Sequence, residues 1–124
     1  MIYPTSDAII EIHDEVILRS GGLAGIRSAG QLDSVLAHIR NDEYYPHFVD
    51  KLTHLVHSVA KFHLFNDGNK RTAILAGALF LDLNHFDNVT NLFIRGMEVP
   101  LVEAVENKIT KDELREIIQR IIEI

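Results

Sequence analysis

The run His63-Leu64-Phe65-Asn66-Asp67-Gly68-Asn69-Lys70-Arg71 gathers an imidazole, a carboxylate, two side-chain amides, a glycine and two cations between two apolar stretches. Those residue types suit the handling of a phosphate. A helix starting near Asn69 would carry Lys70 and Arg71 in its first turn, where the backbone dipole is already positive and each added cation costs roughly 0.3 kcal/mol or more. A bound anion reverses that sign. Gly68 permits positive φ, so that backbone N–H groups around Asn69 can converge on one concavity at the helix start, with the Asn66 amide beside it. Asp67 offers hard oxygens of the kind that hold Mg2+ together with a ligand's phosphates. His63, closing the preceding helix, faces the same loop. A histidine is largely neutral near pH 7 and can accept a proton from an attacking hydroxyl.

Two apolar segments must position this loop. Asp50 to Phe62 sets Leu52, Leu55, Val56, Val59, Ala60 and Phe62 at the three-and-four spacing of a helix with one buried face; Thr72 to Leu83 is apolar at nearly every position, as in a helix buried all round. Ser6 is read as the N-cap of a first helix that stops at Gly21, with His13 and Asp14 as satisfied residues at the edge of the core and a catalytic role as the alternative. Gly21-Gly22-Leu23-Ala24-Gly25-Ile26-Arg27 is a turn or short hairpin by composition. Ser28-x-x-Gln31 predicts a capping box that opens a helix running to about Arg40, and Asn41 to His47 reads as loop. His54 and His57, on one helix face, are read as structural or surface residues rather than as metal ligands. The buried helix is expected to end at Asn84 in the left-handed conformation. Phe86 to Glu98 has no legible period, Pro100 suits a first helical turn, and Thr110-x-x-Glu113 predicts a capping box for a last helix with Leu114, Ile117, Ile118, Ile121 and Ile122 on one side. The expected architecture is all-α, a compact bundle of about six helices forming one domain over residues 1–124, with the polar loop between the two central helices.

The totals narrow the function classes. A hydrophobic content of 47% with 24% charged residues is that of a globular chain. Zero cysteines leave no disulfide framework and no thiolate zinc site, in keeping with a reducing cytoplasm. No basic apolar leader opens the chain, and the run Ala73 to Leu83 is too short for a bilayer, so a soluble cytoplasmic protein without membrane contact is expected. The net charge of −6 argues against nucleic-acid binding.

The polar run also resembles the signature of the Fic/Doc family, His-x-Phe-x-Asp/Asn-Gly-Asn-x-Arg, at every fixed position. The surrounding chain is similar to the short death-on-curing branch of that family, which has a like His13-Asp14 pair, a like Gly21–Arg27 segment and a like helix beginning at Ser28. The resemblance implies a general base at His63, Mg2+ held by Asp67, ATP phosphates bound by Gly68, Asn69 and Arg71, and Phe65 as the apolar anchor of the loop. It implies that the Gly21–Arg27 segment contributes to a flap that aligns a target peptide. Family members that transfer AMP have a second glycine where this chain has Lys70 and a second arginine where it has Ile74. The death-on-curing toxin is similar in having lysine and lacking that arginine, and it phosphorylates elongation factor Tu; it carries alanine at the position of Gly68, where a methyl is expected to crowd a phosphate against the loop. No run of the family's inhibitory type, Ser/Thr-x-x-x-Glu-Gly/Asn, is present: Glu106-Asn107 follows Val102 where a hydroxyl residue belongs.

The reading that follows is a toxin of a toxin–antitoxin pair. It would move a phosphoryl group from Mg-ATP to a hydroxyl of a translation protein, with an antitoxin folding onto it; AMP transfer by the same site is the alternative. Two weaker readings are an inactive binding module and a ribonuclease built on Arg40, Asn41 and His47, whose helix Pro46 would break.

Overall fold

Thr5, rather than Ser6, opens the first helix, because its side-chain oxygen accepts the N–H of Ala8 at 3.1 Å. The computed structural model describes residues 1–124 as seven α-helices and one 3-10 turn: α1 (Ser6–Ser20), α2 (Ala29–His38), α3 (Phe48–Lys61), α4 (Asn69–Leu83), the turn Asp87–Val89, α5 (Thr90–Gly96), α6 (Glu98–Val105) and α7 (Lys111–Ile122). The all-α expectation is met. The illegible stretch after Phe86 accounts for the helix beyond the expected six, since α5 is too short for its period to be read.

α3 and α4 form the central pair, with α1 and α5 against α4 and α7 against α3. Their close approach depends on Gly77. A Cβ there would lie 2.7 Å from Val56 on α3 and 2.9 Å from the Phe93 ring on α5, so three helices meet where one side chain is absent. A buried cation seats α2 on α3: Lys51 donates to the Ile39 carbonyl at 2.6 Å and to Asp42 at 2.7 Å, satisfying a helix C-terminus and neutralising the charge together.

Two further local expectations are corrected. Ser28 leads into α2 but its side chain forms no capping bond, because its backbone is drawn into pairing with Leu64. Asn84 is not left-handed (φ −117°); His85 takes that conformation at φ 67°. Asn84 is used otherwise, exchanging two 2.8 Å hydrogen bonds with the main chain of Ile2 and so tying the N-terminal segment to the end of α4. The second capping box forms as read, with Thr110 and Glu113 each accepting the other's N–H.

His54 joins α3 to the 41–47 loop and to α7: its Nδ1 accepts from Lys111 Nζ at 2.8 Å and lies 3.1 Å from the Tyr45 hydroxyl, whose ring stacks on it. Burial, and then the neighbouring Lys111 ammonium, push its pKa down to about 4. The ordinary value near 6.5 applies once the chain unfolds. The stabilising effect of a neutral His54 is therefore present above pH 6.5 and lost as pH falls towards 4, because the unfolded chain takes the proton first. Urea unfolding at pH 7.5 and pH 5 should show a lower midpoint at pH 5, and the drop should shrink in His54→Gln. An equal drop in both proteins would remove His54 as its source.

Candidate active site

The loop between α3 and α4 is held by its two apolar residues. Leu64 and Phe65 are fully buried, which leaves His63, Asn66, Asp67, Lys70 and Arg71 exposed around them. Asn69 secures the turn. Its Oδ1 accepts the Phe65 N–H and its Nδ2 donates to the Phe65 carbonyl, both at 2.9 Å, so a buried main-chain pair finds both partners in one amide. The Asn69 side chain is thereby committed to the loop, and only its main-chain N–H faces outward duty. Gly68 takes the left-handed conformation expected of it, φ 75° and ψ 20°, immediately before α4.

The first third of the chain closes on this loop. The Gly21–Arg27 segment forms no hairpin; it pairs antiparallel with the loop itself through Ile26 and Phe65. Arg27 N–H donates to Leu64 at 2.8 Å, Asn66 N–H donates to Gly25 at 3.1 Å, and the Asn66 side-chain amide donates to Ala24 at 2.8 Å. Gly25 is needed for that approach, since a Cβ on it would lie 2.9 Å from the Asn66 amide at a φ of 107°. Ile26's own N–H and C=O make no hydrogen bond within the chain.

Asp67 is gripped at both ends. Leu23 N–H donates to its Oδ2 at 2.7 Å, and His13 on α1 donates from Nε2 to its main-chain oxygen at 2.7 Å. The His13 ring is 1% exposed and stacks on Phe65 at 4.0 Å. His13 is thus a satisfied buried residue, as read, but its partner lies in the polar loop; Asp14 beside it points to solvent.

The electrostatics leave an open demand for an anion. The N–H groups of Asn69, Lys70 and Arg71 find no acceptor within the chain, and Lys70 has no ion pair. Arg71 reaches only Glu98, at 3.6 Å and with both side chains more than half exposed, a contact worth little in water. The Asp67 Oδ1 makes no hydrogen bond. One carboxylate with a free oxygen beside a set of unpaired N–H groups is a donor set that Mg2+ can share with phosphates and water, so the residues fit a magnesium–nucleotide pair. His63 makes no hydrogen bond and sits at φ 50°, a conformation that costs a non-glycine residue roughly 1–2 kcal/mol. Its ring stands free at the rim of the loop.

A Cβ on Gly68 would meet Val16 at 3.2 Å and Ile17 at 3.4 Å, so a methyl there also presses on α1. Ile74 is 5% exposed and belongs to the core, where no phosphate contact is possible. Sequence reasoning did not find the roles of Leu23 and Ala24, which act through main-chain atoms and carry no side-chain signal.

Residues 3–81 match the profile of the Fic/DOC family. The chain is 34% identical over 88 residues to the protein kinase doc of Escherichia phage P1, an alignment covering 68% of this chain and 69% of the phage protein. It is 40% identical over 68 residues to the toxin Doc of Mycolicibacterium smegmatis, with 52% of each chain covered.

Asn69→Ala strips the buried N–H and C=O of Phe65 of their partners together and should lower stability by about 2 kcal/mol. The urea midpoint measures it. An unchanged midpoint would mean that water takes over both groups and that the loop does not need this brace.

Proposed function

The chain belongs to the Fic/DOC family, and from that premise we propose that it is the toxin of a toxin–antitoxin pair, a transferase that moves a phosphoryl group from Mg-ATP to a hydroxyl side chain of a translation protein of the elongation factor Tu kind. One observation carries the reading: a free histidine, a half-used carboxylate and an unsatisfied cluster of N–H groups and cations share one loop.

In the proposed reaction an unprotonated ring nitrogen of His63 takes the hydroxyl proton as the target oxygen bonds to the γ-phosphorus. The bond from that phosphorus to the bridging oxygen breaks, and ADP leaves. Asp67 would hold Mg2+, which neutralises phosphate charge when bound. Asn69, Lys70 and Arg71 offer their N–H groups to the phosphates, the Lys70 and Arg71 side chains neutralise charge that develops on them, and Gly68 and Asn66 shape the rim. The free edge of Ile26 suits a target peptide in extended conformation. A buried Ile74 in place of the arginine used for AMP transfer supports phosphoryl over adenylyl transfer. AMP transfer, with pyrophosphate leaving, remains the second reading because Gly68 is kept.

The antitoxin is proposed to seat a helical tail in the cleft of about 410 Å³ between α1, α4 and α5. Ile12, Leu75, Leu79 and Ile94 make its apolar floor, and Glu15 and Asp82 give it an acidic rim suited to a basic-flanked amphipathic helix. No helix is long and apolar enough to cross a membrane. A cytoplasmic place of action is part of the proposal, since its target and nucleotide are found there.

Incubation of purified elongation factor Tu with the protein and Mg-ATP should add the mass of one phosphoryl group. His63→Ala should slow this at least about a hundredfold with the fold intact, and transfer at the wild-type rate would end the assignment of His63 as base. An added adenylyl mass would select AMP transfer instead. For the cleft, the toxicity of Leu79→Arg should persist when the antitoxin is co-expressed; full rescue would move the antitoxin to another surface.

A further inference from the structure

The bond from His13 to Asp67 joins residues 54 positions apart and carries a consequence for the neighbouring amide. A carbonyl oxygen only accepts, so the Nε2 of His13 carries the proton. The bonded carbonyl belongs to the peptide unit between Asp67 and Gly68. In a planar trans peptide the C=O and N–H point in opposite directions, and all peptide bonds of this chain are trans. Holding the Asp67 oxygen against α1 therefore turns the Gly68 N–H away from α1. That N–H has no acceptor within the chain and lies next to the free N–H groups of Asn69, Lys70 and Arg71.

Nothing in the loop alone fixes this orientation. Gly68 tolerates either side of φ, so the peptide before it can flip at little cost unless its oxygen is tied. The tie comes from a ring that is itself immobile, buried to 1% exposure, stacked on the fully buried Phe65 and packed beside Gly68, whose hypothetical Cβ would lie 3.9 Å from the His13 ring. Leu23 N–H does the same for the carboxylate, occupying Oδ2 and leaving Oδ1 open.

We propose that His13 is a positioning residue of the transfer site: it locks the Asp67–Gly68 peptide so that the Gly68 N–H completes the phosphate cradle, an inference that rests on reading the loop as a nucleotide site. His13 touches neither nucleotide nor target. It acts through the orientation of one amide.

Two substitutions separate this role from plain packing. His13→Phe keeps a ring to stack on Phe65 but has no donor. His13→Gln carries its amide nitrogen as many bonds from Cα as Nε2 and restores the donor without the ring. Calorimetric titration with Mg-ATP should show binding at least about tenfold weaker for His13→Phe, the loss of one hydrogen bond to a charged phosphate, with His13→Gln within about threefold of the wild type. In 15N-labelled wild-type protein the Gly68 amide resonance should move on addition of Mg-ATP. In the transfer assay His13→Phe should raise KM for ATP more than it lowers kcat.

Wild-type affinity in His13→Phe overturns the inference, as does equal weakening in both variants. If His13→Phe does not fold, the wild-type Gly68 resonance decides: no movement at saturation overturns it. A wild-type protein that binds no Mg-ATP and modifies nothing removes the nucleotide reading and this inference with it. Normal binding and transfer with unaffected His13 variants removes this inference alone.

Discussion

The structure depends on satisfying the main chain of a loop whose centre is buried and whose ends must stay open to solvent. Leu64 and Phe65 go into the core, and their peptide groups would be left unpaired there at a cost of about 1–3 kcal/mol each. No regular ladder is at hand between two helices. The chain supplies partners one at a time instead: Asn69 for both groups of Phe65, Arg27 and Ser28 for the Leu64 carbonyl, and Gly25 for the Asn66 N–H. The pairing with Gly25, Arg27 and Ser28 also seats the Gly21–Arg27 segment, whose Leu23 and Ala24 hold the exposed Asp67 and Asn66 side chains. Loop stability and site geometry are thus set by the same contacts.

The unpaired groups follow a second pattern. The chain carries a net charge of −6, yet the start of α4 collects two cations, four free N–H groups and the positive end of a helix dipole, with the carboxylates of Asp67 and Glu98 in reply. Several cations elsewhere are matched. Lys51 is bonded to Asp42, Arg115 pairs with Asp50, and Lys61 caps the end of α6 through the Val105 carbonyl. Free N–H groups and a positive helix end gathered on one loop are a condition that an anion relieves.

What could be read in the sequence was what side chains announce. The helix pattern of α1, α3, α4 and α7, the left-handed Gly68 and the Thr110 capping box all have local causes, and local causes survive in the structure. Errors arose where a local preference met a longer-range demand. Ser28 had the sequence of a capping box, but its backbone was needed by Leu64. Asn84 had the sequence of a left-handed cap, but its amide was needed by Ile2, so His85 turned instead. The glycine-rich segment had the composition of a hairpin, and its partner strand proved to be the loop far along the chain. Residues acting through main-chain atoms, Leu23 and Ala24 above all, leave no trace in side-chain type.

His13 shows why the first third of the chain is part of the site and not a scaffold beside it. On α1 the buried stripe is Ile9, His13 and Val16, so helix periodicity puts an imidazole where a leucine would pack as well. A leucine would satisfy the core and leave the Asp67 carbonyl without its donor. The polar member of the stripe is explained by the loop alone, and the loop's exposed carboxylate is in turn aimed by Leu23, which follows α1 directly. Helix, glycine segment and polar run therefore constrain one another as a single unit. A transplanted loop that kept all its side chains but lost α1 would keep the residues of the site without their directions.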